Sequence, residues 1–181
     1  TWSQPKAINY GVALSKNELN ASANINGVFT YTPKLGELFE VGSRKLSLSF
    51  VPSDKVNYVS VTKEVLLEVE KVSLTVTAKD VLKAYGEPNP AFELGYSGFV
   101  RDENSESLIS KPFIQTSANQ FSSAGNYDLK ILGGKSKNYE FDFKDGTLTI
   151  YKEAPQLVWD IPSEIPYGTN LEDVYTAVAK M

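Results

Sequence analysis

Run after run of this chain alternates apolar with polar residues, at the period of two that puts every second side chain on one face of a β-strand. "LSLSF" places Leu46, Leu48 and Phe50 on one side, and "EVLLEVE" does the same with Val65, Leu67 and Val69. The pattern returns in "VSLTVTA" (Val72, Leu74, Val76), "FELGY" (Phe92, Leu94, Tyr96), "YDLKI" (Tyr127, Leu129, Ile131), "YEFDF" (Tyr139, Phe141, Phe143) and "GTLTIY" (Leu148, Ile150). Turn formers separate the runs: Pro33 to Gly36, Pro52-Ser53-Asp54, Pro88-Asn89-Pro90, Gly133-Gly134 and Asp145-Gly146. Short alternating strands at roughly 8–12-residue spacing predict an all-β sandwich or barrel. Two stretches read as helical instead: "DENSESLI", residues 102–109, and the tail "LEDVYTAVAK", residues 171–180.

Two absences bound the chemistry. The 181 residues include no cysteine and no histidine. Disulfides, thiolate catalysis and Cys-ligated zinc are excluded together. So are a His general base, a Ser–His–Asp triad and a His metal site. The formal charge is −4, and Arg44 and Arg101 are the only arginines. This gives no basic stripe for nucleic acid and no polybasic patch for a membrane surface. No apolar run approaches the roughly 20 residues that span a bilayer. No leader is visible, and the chain reads as an excised piece of a longer protein.

A phrase near the start returns near the end. "AINYG" (7–11) is echoed by "EIPYG" (164–168), each with a Trp at the same distance upstream. Trp2/Trp159, Pro5/Pro162, Ile8/Ile165, Tyr10/Tyr167, Gly11/Gly168 and Leu14/Leu171 match at one offset of 157 residues. Such an offset is too long for one small repeat. It fits two alternating sandwich domains followed by the start of a further copy of the first. The expected organisation is therefore one sandwich over 1–71, a second over 72–152, and a linker with a truncated repeat start over 153–181. That truncated piece would need a protein surface to cover Trp159, Ile165, Tyr167 and Leu171, because one or two strands alone are marginal in water. A second echo, Asn57-Tyr58 and Asn138-Tyr139, precedes the last strands of each domain. It reads as a pair of corner tyrosines bonding back to the turn they leave.

Residues 74–152 resemble the bacterial MBG domain of the YGX type. The resemblance is carried by LTVTA (74–78), Tyr85-Gly86, Pro88 and Pro90, Tyr96-Ser97-Gly98, Gly125-Asn126-Tyr127, Asn138-Tyr139 and Gly146-Thr147-Leu148-Thr149-Ile150. The preceding segment is similar to the bacterial Ig-like repeat that alternates with it. Its marks include Trp2, Tyr10-Gly11, Leu19-Asn20-Ala21, Phe29-Thr30-Tyr31-Thr32-Pro33, Phe50-Val51-Pro52-Ser53-Asp54 and Asn57-Tyr58. "RDENSES", residues 101–107, departs from the family's usual Gly-Asp turn. The resemblance implies all-β tandem Ig-like and MBG-type sandwiches in a large secreted or surface-displayed bacterial protein. It implies no enzyme, no cofactor and no known ligand site.

The residues that invite a chemical reading are few. Asp102, Glu103, Asn104 and Glu106 share one loop and would offer oxygen to a hard cation, but the loop has no glycine for the turn a calcium site needs. A solvated acidic loop is the simpler reading. Glu37 with Glu40, or Asp142 with Asp145, would be a carboxylate pair only if a cleft joined them. The tryptophans would stack on sugars if exposed, yet both occupy one repeat position, which reads as scaffold. No lysine is marked out for an isopeptide crosslink. No catalytic, metal or cofactor residue is therefore assigned.

The joint between the expected domains is only Glu70-Lys71, with no Gly/Ser tract to act as coil. Pro155 restricts the next one. These features predict a stiff string of modules on a cell surface, a spacer with weak multivalent adhesion. The alternative is a carbohydrate- or protein-binding module with a discrete site on loops or a sheet face. Expected partners are neighbouring repeats and an extracellular glycan or protein, if any.

Overall fold

The computed structural model describes residues 1–159, 164–170 and 177–180. Its strands, in chain order, are β1 (Ile8–Asn9), β2 (Gly27–Thr32), β3 (Gly42–Pro52), β4 (Val61–Glu70), β5 (Val72–Ala78), β6 (Val81–Ala84), β7 (Leu94–Ser97), β8 (Ser110–Gln115), β9 (Gly125–Lys135), β10 (Tyr139–Lys144), β11 (Gly146–Tyr151), β12 (Gln156–Trp159) and β13 (Ala177–Lys180). All seven alternating runs lie in strands in whole or in part. The period of two survives in the burial: Leu46, Leu48 and Phe50 of β3 are buried, and so are Leu74, Val76 and Ala78 of β5.

The first unit, through β4, is one four-stranded sheet in the order β1-β4-β3-β2. The inner face of this sheet is closed by the loops 2–7 and 10–26, not by a second sheet. Trp2 and Leu14 are driven into it and are each almost fully buried. Trp2 fixes its indole N–H on the Glu18 carbonyl at 2.9 Å and meets Tyr31 edge-on at 5.5 Å. Trp2 is thus a core residue, unavailable for stacking on a sugar. The expected sandwich is reduced in this unit to a sheet with a loop cover. Its one antiparallel rung across the cover joins Thr1 and Ser22, through backbone and hydroxyl contacts.

The second unit is built from two sheets. One sheet runs β10-β5-β7 and the other β6-β11-β9-β8. The larger sheet repeats the first unit strand for strand: a short edge strand parallel to the last strand, then a long antiparallel strand, then a shorter one. The last strand differs. Where β4 is continuous, the second unit breaks at Asp145, whose carboxylate accepts the Ile131 N–H at 2.8 Å. The break lets β10 leave for the opposite sheet, where it runs parallel to β5.

Two expectations of helix fail. Residues 102–109 hold only a 3-10 turn, Ser105–Ser107, capped by the Asn104 side chain. The chain must extend into β8 at Ser110, which leaves no room for a second turn. Residues 177–180 are strand, paired antiparallel with β12; residues 171–176 lie outside the described residues. The buried side chains of both units form one continuous cluster that includes Tyr10 and Tyr139. The units therefore meet through their cores and not through a bare link.

The repeat start at the end of the chain is not covered as expected. Tyr167 is fully exposed. Ile165 is partly covered, while the Trp159 side chain and Leu171 lie outside the described residues. Tyr10, the counterpart of Tyr167, is by contrast 1% exposed and touches Tyr139 and Arg101 of the second unit.

Burial separates positions that the strand pattern treats alike. Leu74 is fully buried in β5, whereas Leu82 of β6 is 70% exposed. Leu74→Ala is expected to cost about 2–5 kcal/mol of stability, and Leu82→Ala no more than about 0.5 kcal/mol. Urea unfolding of the two variants checks the ranking.

Candidate functional site at the joint between the units

One short element occurs three times. At Asn9–Val12, Ala84–Glu87 and Pro166–Thr169 the fourth residue's N–H donates to the first residue's carbonyl, at 3.0, 3.3 and 3.2 Å. The two central residues are Tyr-Gly each time, and the glycines Gly11, Gly86 and Gly168 have φ of 87, 86 and 93°. A turn with positive φ at its third residue is the type II geometry, which selects glycine there. In both complete units the turn ends the short edge strand. Its tyrosine N–H then reaches the final carbonyl of the last strand: Tyr10 to Glu70 at 2.8 Å, Tyr85 to Tyr151 at 3.0 Å. The Tyr-Gly turn is thereby fixed at the point where the chain leaves each unit for the next.

Tyr10 is 1% exposed because the second unit closes over it. Its hydroxyl donates to Glu103 Oε1 at 2.5 Å. Tyr139 stands edge-on to its ring at 5.8 Å and donates to the other oxygen, Glu103 Oε2, at 2.5 Å. Val100 N–H donates to the Tyr139 hydroxyl at 3.1 Å. The Arg101 guanidinium lies 5.0 Å above the Tyr10 ring, a cation–π contact. Gly11 is essential for a second reason: a Cβ there would stand 2.8 Å from Val100 Cγ2.

Glu40 forms the outer half of the joint. It pairs with Arg101 Nη1 at 3.3 Å and accepts the Asn138 amide at 2.8 Å. Asn138 returns the contact, its Oδ1 accepting Val41 N–H at 3.4 Å. Both ends of the joint are thus polar groups of one unit answered by the other, around two aromatic rings.

The aiming of Arg101 and Glu103 comes from strained backbone. Arg101 and Asp102 have φ of 60 and 57°, the left-handed region that ordinary side chains rarely occupy. This is the stretch where the sequence departs from a Gly-Asp turn. Arg101 takes a conformation that favours glycine, and its side chain is used on Tyr10 and Glu40.

The candidate cation loop is dispersed by the same geometry. Glu103 turns into the joint, Glu106 pairs with Lys111, and Asn104 caps the 3-10 turn through the Glu106 N–H at 2.9 Å. Among the described residues, no three acidic side chains converge on a point. Asp142 pairs with Lys144 at 3.1 Å, while the exposed Asp145 accepts the Ile131 N–H, so each carboxylate is engaged separately. Glu37 accepts the Lys34 N–H at 3.1 Å and Glu40 belongs to the joint. The two expected corner tyrosines differ: Tyr139 is buried, but its hydroxyl goes to Val100 and Glu103 and not back to the turn it leaves, whereas Tyr58 is half exposed. Sequence reasoning missed one buried lysine: Lys83 places its ammonium on the carbonyls of Glu87 and Asn119, at 2.8 and 2.9 Å. Its position at the inward end of a short edge strand, beside the Tyr-Gly turn, was the available signal.

Residues 74–149 match the family model of the MBG domain (YGX type). The matched residues lie in the second unit. The match spans β5 to β11, including the Tyr85-Gly86 turn and both joint residues Glu103 and Tyr139 of this unit. No curated protein matches the chain.

Burial first, and then donation to Glu103, push the Tyr139 hydroxyl up to about 12. Tyr10 is raised for the same reasons. A folded-state value above the unfolded one of about 10 stabilises the joint fully below that pH, and the contribution disappears as pH rises towards the folded value. The stability advantage of the native chain over Tyr139→Phe is expected to be constant between about pH 7 and 9. It should shrink from about pH 10 upward. Urea unfolding of both proteins across that range is the check.

Proposed function

We propose that this chain is a structural segment of an exported bacterial surface protein, a stiff spacer that holds its neighbours at a set angle and adheres, where it adheres, through many weak contacts. One observation carries the reading: the joint between the units is locked by the Tyr10–Glu103–Tyr139 hydrogen bonds and the Glu40 contacts, with Lys71 alone between β4 and β5. A module selected to bind one ligand does not need its neighbour held so tightly. A spacer does, because a rod made of hinged beads collapses. The match of residues 74–149 to the MBG domain supports a repeat module. The lack of histidine and cysteine, together with the dispersal of the carboxylates, argues against catalysis.

The joint should behave as one body in solution. Residual dipolar couplings from the two units are expected to fit a single alignment tensor. Tyr10→Ala combined with Glu103→Ala should split that tensor in two while each unit keeps its own amide pattern. Two tensors in the native chain would overturn the stiff-spacer reading.

Adhesion, if it belongs to the function, should scale with copy number. A single chain is expected to bind mucin or a glycan array weakly, and tandem arrays at least ten-fold more strongly through effective concentration. Tight binding by one copy, abolished by one loop substitution, would favour the alternative of a discrete site.

A further inference from the structure

The loop that arches over Tyr10 is a four-residue turn, closed by Glu103 N–H donating to the Val100 carbonyl at 3.2 Å. Its two central residues, Arg101 and Asp102, have φ of 60 and 57°. Positive φ at both centres is the type I′ turn. That turn selects pairs such as Asn-Gly and Asp-Gly, which enter the left-handed region at little cost. Arginine is a poor first residue for it, and no glycine stands second. Left to its own preferences, this stretch would open.

Much of what keeps it closed comes from the first unit. Val100 packs against Gly11. The Arg101 guanidinium lies over the Tyr10 ring and pairs with Glu40. Glu103 accepts the Tyr10 hydroxyl. The second unit supplies Tyr139, whose hydroxyl accepts the Val100 N–H and donates to Glu103. If the first unit swings away, the turn keeps its bonds to Tyr139 but loses the other holds, and two strained residues remain.

Arg101 and Asp102 are also exposed. A protease takes its substrate as an extended segment, laid along its cleft in the manner of an added strand. A tight turn cannot lie that way. The Arg101–Asp102 bond is therefore open to solvent and yet shut to an enzyme for as long as the turn stays closed.

We propose that the Arg101–Asp102 peptide bond is a cleavage site gated by the joint: shut while Tyr10, Gly11 and Glu40 hold the turn, and cut by an arginine-specific protease once the first unit lets go. The reaction is hydrolysis. Water adds to the Arg101 carbonyl carbon, the C–N bond to Asp102 breaks, and the nitrogen leaves as a free amine. The products are residues 1–101, ending in a carboxylate, and residues 102–181. A cut there removes the turn, so an opening of the joint becomes a permanent break. The inference rests on the contacts of the internal joint and not on the spacer role.

The sequence makes the test clean, because it holds only two arginines. Arg44 lies inside β3, opposite Leu67 of β4, and is cut only when the first unit unfolds. Arg101 reports the turn. Where opening and closing are fast, the cutting rate follows the population of the open form. The full chain and its variants are digested with an arginine-specific protease, and the fragments are followed by intact mass. The native chain is expected to be cut slowly at both sites. Tyr10→Phe keeps the ring and loses only the hydroxyl; it should speed cutting after Arg101 about ten-fold or more, with Arg44 left slow. Asp102→Gly lets the turn close on its own preferences. Added to Tyr10→Phe, it should bring cutting after Arg101 back towards the native rate, although the smaller residue beside the bond gives the protease freer access. A native chain cut after Arg101 as fast as Tyr10→Phe overturns the proposal. So does cutting at Arg44 that rises in step with Arg101, or a double variant cut no more slowly than Tyr10→Phe alone.

Discussion

A single carboxylate holds the two halves of this molecule in register. Glu103 accepts a hydroxyl on each oxygen, one from Tyr10 of the first unit and one from Tyr139 of the second. A hydrogen bond to an ionised acceptor is about twice as strong as a neutral pair, and an acceptor enclosed by two rings has little water to turn to instead. Both tyrosines remain protonated donors well above neutral pH. Removing either ring would leave the carboxylate with one unanswered oxygen at an apolar seam, a cost larger than the bond itself.

The position of that carboxylate depends on two pieces of backbone, one on each side. On the first unit, the Tyr-Gly turn places a ring at the exact end of the last strand's hydrogen-bond ladder. Its glycine leaves the hollow into which Val100 packs. On the second, Arg101 and Asp102 accept left-handed conformations so that residues 99–103 can arch over the ring. Backbone strain of this kind costs of order 1–3 kcal/mol per residue and persists only where the surroundings over-determine it. Here they do: Arg101 is held by Tyr10 and Glu40, and Glu103 by both tyrosines. The strain is offset only when both units are present, which ties the loop's conformation to the assembly of the joint.

Much of this was legible in the residues. Alternation located the strands because burial on one face is a local property of the chain, and the Trp2/Trp159 offset exposed the repeat. The resemblance of 74–152 to the MBG domain was carried by turn residues whose backbone demands are specific, such as Gly86 and Gly98. What the sequence hid was non-local. Nothing near Glu103 distinguishes it from Asp102 or Glu106, since its role is set by two rings that lie 93 and 36 residues away. The acidic loop read as a candidate for solvent because charge density is visible and orientation is not. The helical reading of 102–109 failed for a related reason: propensity favours a helix there, but the neighbouring strand begins too soon. The first unit read as a sandwich because its strands alternate like the second's, whereas its second layer is a loop cover pinned by Trp2 and Leu14.

That asymmetry between the units has a physical logic. A domain of some 70 residues buries a modest share of its surface and gains heavily from any further apolar contact. In the second unit the decisive contact is β5, a strand that enters directly from the preceding unit and lines both sheets' shared interior with Leu74 and Val76. The strand that leaves one module is therefore also the strand that completes the next. Joint and core are then built from the same residues, with no dedicated linker between them. The joint at Tyr10 and Tyr139 is continuous with the second unit's interior, because both rings belong to one buried cluster. Cooperativity between modules is in this way a consequence of where the strand boundary falls, at Lys71, and of the turn that fixes Tyr10 beside it.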